Sequence, residues 1–356
     1  MCEIKIEKAQ QLKQKPDFSK LGFGKYFTDH MFIADYSDDK GWYNARIVPF
    51  GYIPIHPAST VLHYGAEIFE GMKAYKTADG YQMFRPRENI KRMNDSAARL
   101  CLPSIDEDLF LNGLTTLINL DYNWIPDSEG TSLYIRPFMF GNDESLGVHA
   151  VHNATFVIIL SPVGSYYATG LSPVKIIIEE QDVRAVRGGT GYAKCGGNYA
   201  ASLRAGKRAA DKGFSQVLWL DGVERKYIEE VGAMNVMFKI DGKIITPELT
   251  GSVLPGVTRK SCIEILKDWG YDVEERLLSV EELTIAAKEN RLEEAWGTGT
   301  AAVVSPIGHL FYDNQDYTVS NNQIGELTQR LYDELTGIQW GKREDKRNWV
   351  YKVKVK

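Results

Sequence analysis

Apolar positions along the chain change their spacing several times, and those changes divide it into helices and strands. Ile90, Met93, Ala97 and Leu100 recur at helical spacing, and Pro103 ends that helix because proline has no N–H to give the ladder. Ser104, Ile105, Asp106 and Glu107 have the form of a capping box, which predicts a second helix carrying Leu109, Leu114, Leu117 and Ile118. Leu133–Phe140 and Ala154–Leu160 are dense in β-branched and aromatic residues and predict buried strands. Val174–Ile178 and Val217–Leu220 predict two more, with a helix between them that starts after Gly197 and ends near Gly213. Asn235–Ile240 and Lys243–Thr246 flank Asp241-Gly242, a pair that favours a two-residue hairpin because both residues tolerate positive φ. Ser279 and Glu282 form a second capping box, opening a helix to about Asn290. Hairpins among irregularly alternating strands and helices, with no internal repeat, predict an α+β fold rather than a doubly wound parallel sheet.

Length and composition narrow the classes. A chain of 356 residues is too long for one small core, so two domains are expected. The turn-rich stretch from Ser161 to Ser172 is the natural connection. It gives a smaller N-terminal α+β domain over 1–162, a connection over 163–172 and a larger C-terminal domain over 173–356. A net charge of −5 gives no electrostatic reason to expect nucleic acid or an acidic membrane as partner. There is no run of about 18 apolar residues for a membrane span, and the N-terminal residues contain no signal-like apolar stretch. Cys2, Cys101, Cys195 and Cys262 form neither a CxxC pair nor a metal-ligand spacing, so no metal is expected and reduced thiols in the cytoplasm are.

Candidate chemistry concentrates around one lysine. Gly188, Gly189 and Gly191 precede Lys194, Gly196 and Gly197 follow it, and Tyr199 stands five residues on. Glycine at that density lets the backbone turn sharply and lets a bulky group come close. Most lysines are solvated surface charges, so the setting must carry the argument. A phosphate-binding loop would need Ser or Thr after the lysine, and Cys195 is there instead; the glycines at 189 and 191 lack the third glycine of a dinucleotide fingerprint. What remains is an amine in a constrained turn, able to condense with an aldehyde.

Pyridoxal phosphate asks for four things: an imine-forming lysine, an acid or arginine at the pyridine nitrogen, a hydrogen bond to the ring hydroxyl and a phosphate cradle. Glu229 and Glu230 put carboxylates at the mouth of an apolar strand, although adjacent glutamates also suit a solvated turn. Tyr199 is a candidate for the ring oxygen or an ordinary packing residue. Leu254–Arg259 reads as a loop leading into a helix that continues through Ile263 and Leu266. The exposed amides and dipole there favour an anion, though a plain proline–glycine turn would look the same. Gly297–Ala301, after the apparent strand Glu294–Trp296, is a second amide-rich turn for a phosphate or a substrate carboxylate.

Together these segments resemble the fold-type IV pyridoxal-phosphate enzymes, and more closely the branched-chain aminotransferases. The similarity runs from Phe27–Met31 to Gly297–Ala301 and is most specific at Glu70–Tyr75, Phe84–Pro86, Tyr134–Pro137, Gly196–Tyr199 and Glu230–Asn235. The resemblance implies a two-domain enzyme with the cofactor bound between its domains, in which Lys194 is covalent anchor and proton shuttle. It implies Glu230 at the pyridine nitrogen, Tyr199 on the ring oxygen and Arg92 on the phosphate. The amides of Val257 and Thr258, with Thr300, would complete the cradle, and Arg184 would be a second arginine near it. For substrate, Tyr134 and the amides of Thr300 and Ala301 would hold the α-carboxylate. Phe23, Tyr64, Phe69 and Ala233 would wall an apolar cavity, and Arg136 would take the distal carboxylate of glutamate. Such an enzyme would move the amino group of L-leucine, L-isoleucine or L-valine to 2-oxoglutarate, as a homodimer.

Two departures from the family pattern stand out. Ala302, Val303 and Val304 hold no redox CxxC pair after the glycine–threonine turn, and Ala233 replaces a threonine in the pocket wall. Within the fold type, a D-amino-acid transaminase or aminodeoxychorismate lyase is the alternative, and the Tyr134-x-Arg136 segment and long N-terminal region argue against both. A non-catalytic phosphate-binding module would need neither the lysine between glycines nor Glu230.

Overall fold

The computed structural model describes residues 3–164 and 171–355. The chain forms two compact units: the first takes Met1–Ala168, Ala193–Gly196 and Gly337–Lys356, the second Thr169–Tyr192 and Gly197–Thr336.

The first unit carries β1 (Lys5–Ile6), β2 (His30–Ser37), β3 (Gly41–Pro49), α1 (Thr60–Tyr64), β4 (Glu67–Phe69), β5 (Met72–Thr77), β6 (Gly80–Phe84), α2 (Pro86–Arg99), α3 (Glu107–Leu120), β7 (Ser132–Gly141) and β8 (Asn153–Val163). The second half of the chain adds β9 (Val174–Ile178), α4 (Gly196–Ala200), α5 (Leu203–Asp211), β10 (Gln216–Leu220), β11 (Ile228–Val231), β12 (Met234–Ile240), β13 (Lys243–Thr246), α6 (Val257–Asp268) and β14 (Val273–Glu275). It ends with α7 (Val280–Lys288), β15 (Leu292–Gly299), β16 (Val303–Tyr312), β17 (Gln315–Thr318), α8 (Glu326–Gln339) and β18 (Val350–Lys354).

In the first unit a nine-stranded sheet runs β1-β3-β2-β8-β7-β5-β6-β18, with β4 on β7, and every pairing except β1–β3 is antiparallel. One face is covered by α2 and α3. Ile90, Met93 and Ala97 from α2 and Phe110, Leu114 and Leu117 from α3 join Phe32, Phe156 and Ile158 of the sheet in one core. Each of the larger of these side chains removed from water contributes about 1.5–3 kcal/mol. Gly113 lets α3 lie close, because a Cβ there would come within 2.7 Å of the Phe32 ring.

In the second unit the strands run β11-β10-β9-β16-β15-β12-β13-β14, with β17 on β16, and an added β11–β12 pairing closes six of them into a ring. Among the described residues, parallel pairs in this unit occur only where β9 meets β10 and β16 and where β13 meets β14. Predominantly antiparallel sheets with short hairpins are the α+β architecture that the sequence predicts.

The division of the chain departs from that expectation. The connection expected at 163–172 falls mostly on residues 165–170, outside the described residues. The C-terminal segment does not stay with the second unit: β18 pairs with β6, and the Tyr75 hydroxyl donates to Gln339 Oε1 at 2.9 Å. The first unit is therefore the larger one. Two local expectations also shift. The cap of α3 is Asp106, whose Oδ1 accepts the Leu109 N–H at 3.0 Å, not Ser104. The helix expected after Gly197 breaks into α4 and α5, because the Ser202 hydroxyl turns back to the Tyr199 carbonyl at 2.6 Å.

Candidate functional site

In the first unit, Lys194 is held by its main chain. Its N–H donates to Ser96 Oγ of α2 at 2.9 Å, and its carbonyl accepts the Phe69 N–H at 2.9 Å. Cys195 bridges to Ile68, and the Gly196 N–H donates to Glu67 Oε1. Ala193 and Cys195 on either side belong to the hydrophobic core. The backbone is thus fixed on both sides while the side chain runs out to Nζ, 4.8 Å from the centre of the Phe69 ring.

Glu70, at the turn between β4 and β5, is fully buried. It receives Arg92 Nε at 2.7 Å and Nη2 at 2.9 Å, together with Asn89 Nδ2 at 2.8 Å. Burial pushes its carboxyl up. The charge and hydrogen bonds of Arg92, the charge of Lys194 and the Asn89 bond outweigh it and leave the group below the ordinary carboxylate range. One edge of the Arg92 guanidinium is therefore gripped by an ionised carboxylate, in bidentate geometry.

On β7, Tyr134 and Arg136 share one face of the sheet by strand alternation. The Arg136 Nη2 donates to the Tyr134 hydroxyl at 3.0 Å, and the Phe23 ring meets Tyr134 edge-on at 4.9 Å. Arg136 also lies 4.8 Å from the Phe69 ring centre, so that one aromatic ring has both Lys194 and Arg136 near it. The Arg136 Nε is buried with no hydrogen-bond partner among the described residues. Gly71 makes room for this group: a Cβ there would overlap the Tyr134 hydroxyl. Phe23, Phe69, Tyr134, Arg136 and Lys194 are thus brought together. Tyr64 is placed differently, exposed at the end of α1, with its hydroxyl donating to the Leu146 carbonyl.

In the second unit, the buried Glu230 sits on β11, in register with Asn235 of β12, which pairs in turn with Thr298 of β15. Glu230 Oε1 accepts the Leu254 N–H at 2.9 Å and Asn235 Nδ2 at 3.3 Å. Its Oε2 is 3.0 Å from Arg184 Nε, and Arg184 Nη2 donates to the Ser252 carbonyl. Arg184 therefore departs from its expected place as a second arginine at the phosphate turn; its guanidinium is taken up by the Glu230 carboxylate. The neighbouring Glu229 points the other way in the strand, accepts the Ser252 hydroxyl, and has its carboxyl pushed up by burial.

The same unit carries an anion-receptive helix start. Gly256 precedes α6 in an extended conformation and, having no side chain, cannot itself cap the first amides at Val257 and Thr258. Gly256 has to be glycine, since a Cβ would overlap Asn235 Oδ1. Asn235 is held in turn by donating to the Leu254 carbonyl at 2.8 Å, which ties this turn to Glu230. Thr300 and Ala301 follow β15 in the turn to β16, and Ala233 is exposed in the turn from β11 to β12. The Thr298 hydroxyl in that row is buried and has no partner among the described residues. Tyr199 is half-buried on α4, whose Asn198 donates to the Thr190 carbonyl and accepts the Thr190 hydroxyl, both at 2.8 Å.

Each unit holds groups whose chemistry suits pyridoxal phosphate: a fixed amine in the first, and a buried carboxylate, a phenol and a 12-residue helix that starts behind a glycine in the second. No helix among the described residues is long and apolar enough to cross a membrane, and no cluster of metal-ligating side chains occurs among them. Glu70, Glu67 and Ser96 are absent from the candidates that the sequence suggests. The readable signal was an acid at each end of the apolar Ile68-Phe69 pair, which needs a partner wherever it is buried.

Comparison with known proteins agrees with this geometry. The family model described as amino-transferase class IV matches residues 67–310. A Staphylococcus aureus protein named probable branched-chain-amino-acid aminotransferase is 55% identical over 347 residues, covering 97% of each chain. Branched-chain-amino-acid aminotransferase 2 of Bacillus subtilis is 53% identical, covering 98% of this chain and 97% of its own. Among solved structures, the Escherichia coli branched-chain amino acid aminotransferase superposes with a TM-score of 0.77 at 29% identity, over 91% of this chain and 99% of that one. The branched-chain amino acid aminotransferase of T.th., solved with pyridoxamine 5'-phosphate, gives 0.76 at 28% identity, covering 93% of this chain and 98% of that one.

Proposed function

The chain belongs to the class IV aminotransferases, and from that premise we propose that it transfers the amino group of L-leucine, L-isoleucine or L-valine to 2-oxoglutarate. The observation that carries this reading is Lys194. Its backbone is pinned by Phe69 and Ser96, and its amine lies over the Phe69 ring beside the Glu70–Arg92 pair.

Pyridoxal phosphate, when bound, supplies an aldehyde for covalent capture and a ring that accepts the electrons released at the substrate α-carbon. The protein does the rest. Lys194 Nζ would hold the cofactor covalently and, with its amine free, would serve at the substrate α-carbon as general base and then general acid. Glu230 holds a proton at the pyridine nitrogen, and Arg184 places a positive charge beside that carboxylate. Tyr199 hydrogen-bonds the ring oxygen. Arg92, oriented by Glu70, and the amides of Val257 and Thr258 with Thr300 bind the phosphate.

For the substrate, Tyr134 and the amides of Thr300 and Ala301 orient the α-carboxylate. Phe23 and Phe69 exclude water from the aliphatic chain, where each methylene buried is worth about 0.8 kcal/mol; the exposed Tyr64 and Ala233 take no part in that wall as the chain stands. Arg136, whose buried Nε has no hydrogen-bond partner among the described residues, takes the distal carboxylate of glutamate. A homodimer is the proposed assembly. A cytoplasmic location goes with this reading.

A panel of L- and D-amino acids with 2-oxoglutarate, followed by glutamate formation, tests the substrate assignment. Leucine, isoleucine and valine should exceed L-alanine and all D-amino acids by at least about 10²-fold in kcat/KM, the lost carbons (two relative to valine, three relative to leucine and isoleucine) accounting for most of the alanine gap. Turnover of D-alanine without L-leucine would overturn it.

A further inference from the structure

Glu67 has none of the roles assigned above, yet it bonds the Lys194 segment and shares a sheet face with Phe69, over which Arg136 lies. Strand alternation in β4 puts Glu67 and Phe69 on one face and the fully buried Ile68 on the other. Glu67 Oε1 accepts the N–H of Gly196, two residues beyond Lys194. That contact is built in, because a Cβ at position 196 would overlap the carboxylate. The charge of Arg136 also acts on Glu67, while Arg136 itself lies over Phe69, bonds Tyr134 and leaves its Nε buried without a partner among the described residues.

A transaminase of this kind must use one site for two side chains of opposite character, an aliphatic chain and a carboxylate. A guanidinium beside an aliphatic chain is costly to bury unless an anion accompanies it. We propose that Glu67 is a specificity-determining residue for the reaction assigned above: its carboxylate balances Arg136 while an aliphatic side chain fills the pocket, and it competes with the distal carboxylate of the dicarboxylic substrate for that same arginine. Its position sets how far the enzyme favours the aliphatic partner over the dicarboxylate. Burial pushes the Glu67 carboxyl above its ordinary range, although the Gly196 N–H and Arg136 pull it back. Its negative charge is therefore held less firmly than that of a solvated glutamate, which suits a group that must yield when a second carboxylate arrives.

The inference rests on the branched-chain reading, and the test separates the two. Glu67→Gln keeps an oxygen for the Gly196 N–H and removes the charge. Spectral titration of the holoenzyme with two unreactive ligands, glutarate and 4-methylvalerate, reads the pocket without turnover. Glutarate should bind Glu67→Gln at least about five-fold more tightly than wild type, with 4-methylvalerate changed less than about two-fold, since removing a like charge favours only the dianion. Steady-state KM for 2-oxoglutarate should fall by a similar factor relative to that for leucine. Unchanged or weaker glutarate binding, or an equal shift for both ligands, would overturn the assignment and leave Glu67 a support for the lysine segment. If instead wild type forms no glutamate from leucine, the branched-chain reading fails, whatever the glutarate result. Should Glu67→Gln fold poorly, Glu67→Ser gives the same ligand comparison, and the same outcomes decide it.

Discussion

Lys194→Ala should lose the covalent absorbance band of the cofactor and at least about 10⁴-fold in leucine transamination, the upper range for removing a single acid–base group. Two functions leave together, the covalent hold and the proton transfer, which is why the loss should reach that limit. The substitution should cost little stability. The bonds that fix this segment join main-chain atoms of Phe69, Lys194 and Gly196 with the Ser96 hydroxyl and the Glu67 carboxylate, and none of them uses the Lys194 side chain. Lys194→Arg keeps the charge and still cannot attach the aldehyde, so it should be as inactive as Lys194→Ala. Turnover of leucine by either variant near the wild-type rate would remove Lys194 from the mechanism.

Glu70→Leu should be the most destabilising substitution near the site. It leaves the Arg92 guanidinium, 7% exposed, without the carboxylate that binds its Nε and Nη2. Breaking a buried pair from one side costs about 3–5 kcal/mol. For a body of this size that corresponds to a fall of roughly 10 °C in the melting temperature of the apoprotein. Leucine matches the volume of the lost side chain closely enough that cavity formation is a minor part of the effect. Glu70→Gln, which keeps an acceptor for Arg92 and Asn89, should recover part of the stability. Fluorescence titration should also show weaker uptake of pyridoxal phosphate by both variants, more so for leucine, because Arg92 is no longer held in one orientation. An unchanged melting temperature for Glu70→Leu would show that the pair does not hold this part of the first unit together.

Local patterns were legible in the chain wherever they arise from nearby residues. The α2 stripe of Ile90, Met93 and Ala97, the strands at Leu133 and Ala154, the Asp241-Gly242 hairpin and the Ser279 cap all depend on neighbours within a few positions. The glycines around Lys194 were legible as well, although their reasons emerge only in three dimensions. Gly196 makes space for Glu67 and Gly191 for the Ser252 carbonyl. What could not be read are contacts between distant positions. Arg92 and Glu70 are 22 residues apart, and Gly196 and Glu67 are 129 apart. No periodicity links such pairs. For Arg184, a cation near an anion site is the natural guess from sequence, whereas its guanidinium stands on Glu230. The return of β18 to the first sheet was hidden for the same reason, since its partner β6 lies far back in the chain.

The most direct test of the central claim is a half-reaction. Holoenzyme mixed with L-leucine in the absence of any 2-oxo acid should release one equivalent of 4-methyl-2-oxopentanoate per bound cofactor and then stop. Adding 2-oxoglutarate should restore the original spectrum and yield one equivalent of L-glutamate. Release of ammonia or pyruvate in place of the branched 2-oxo acid, or a spectral change with D-alanine and none with L-leucine, would contradict the account.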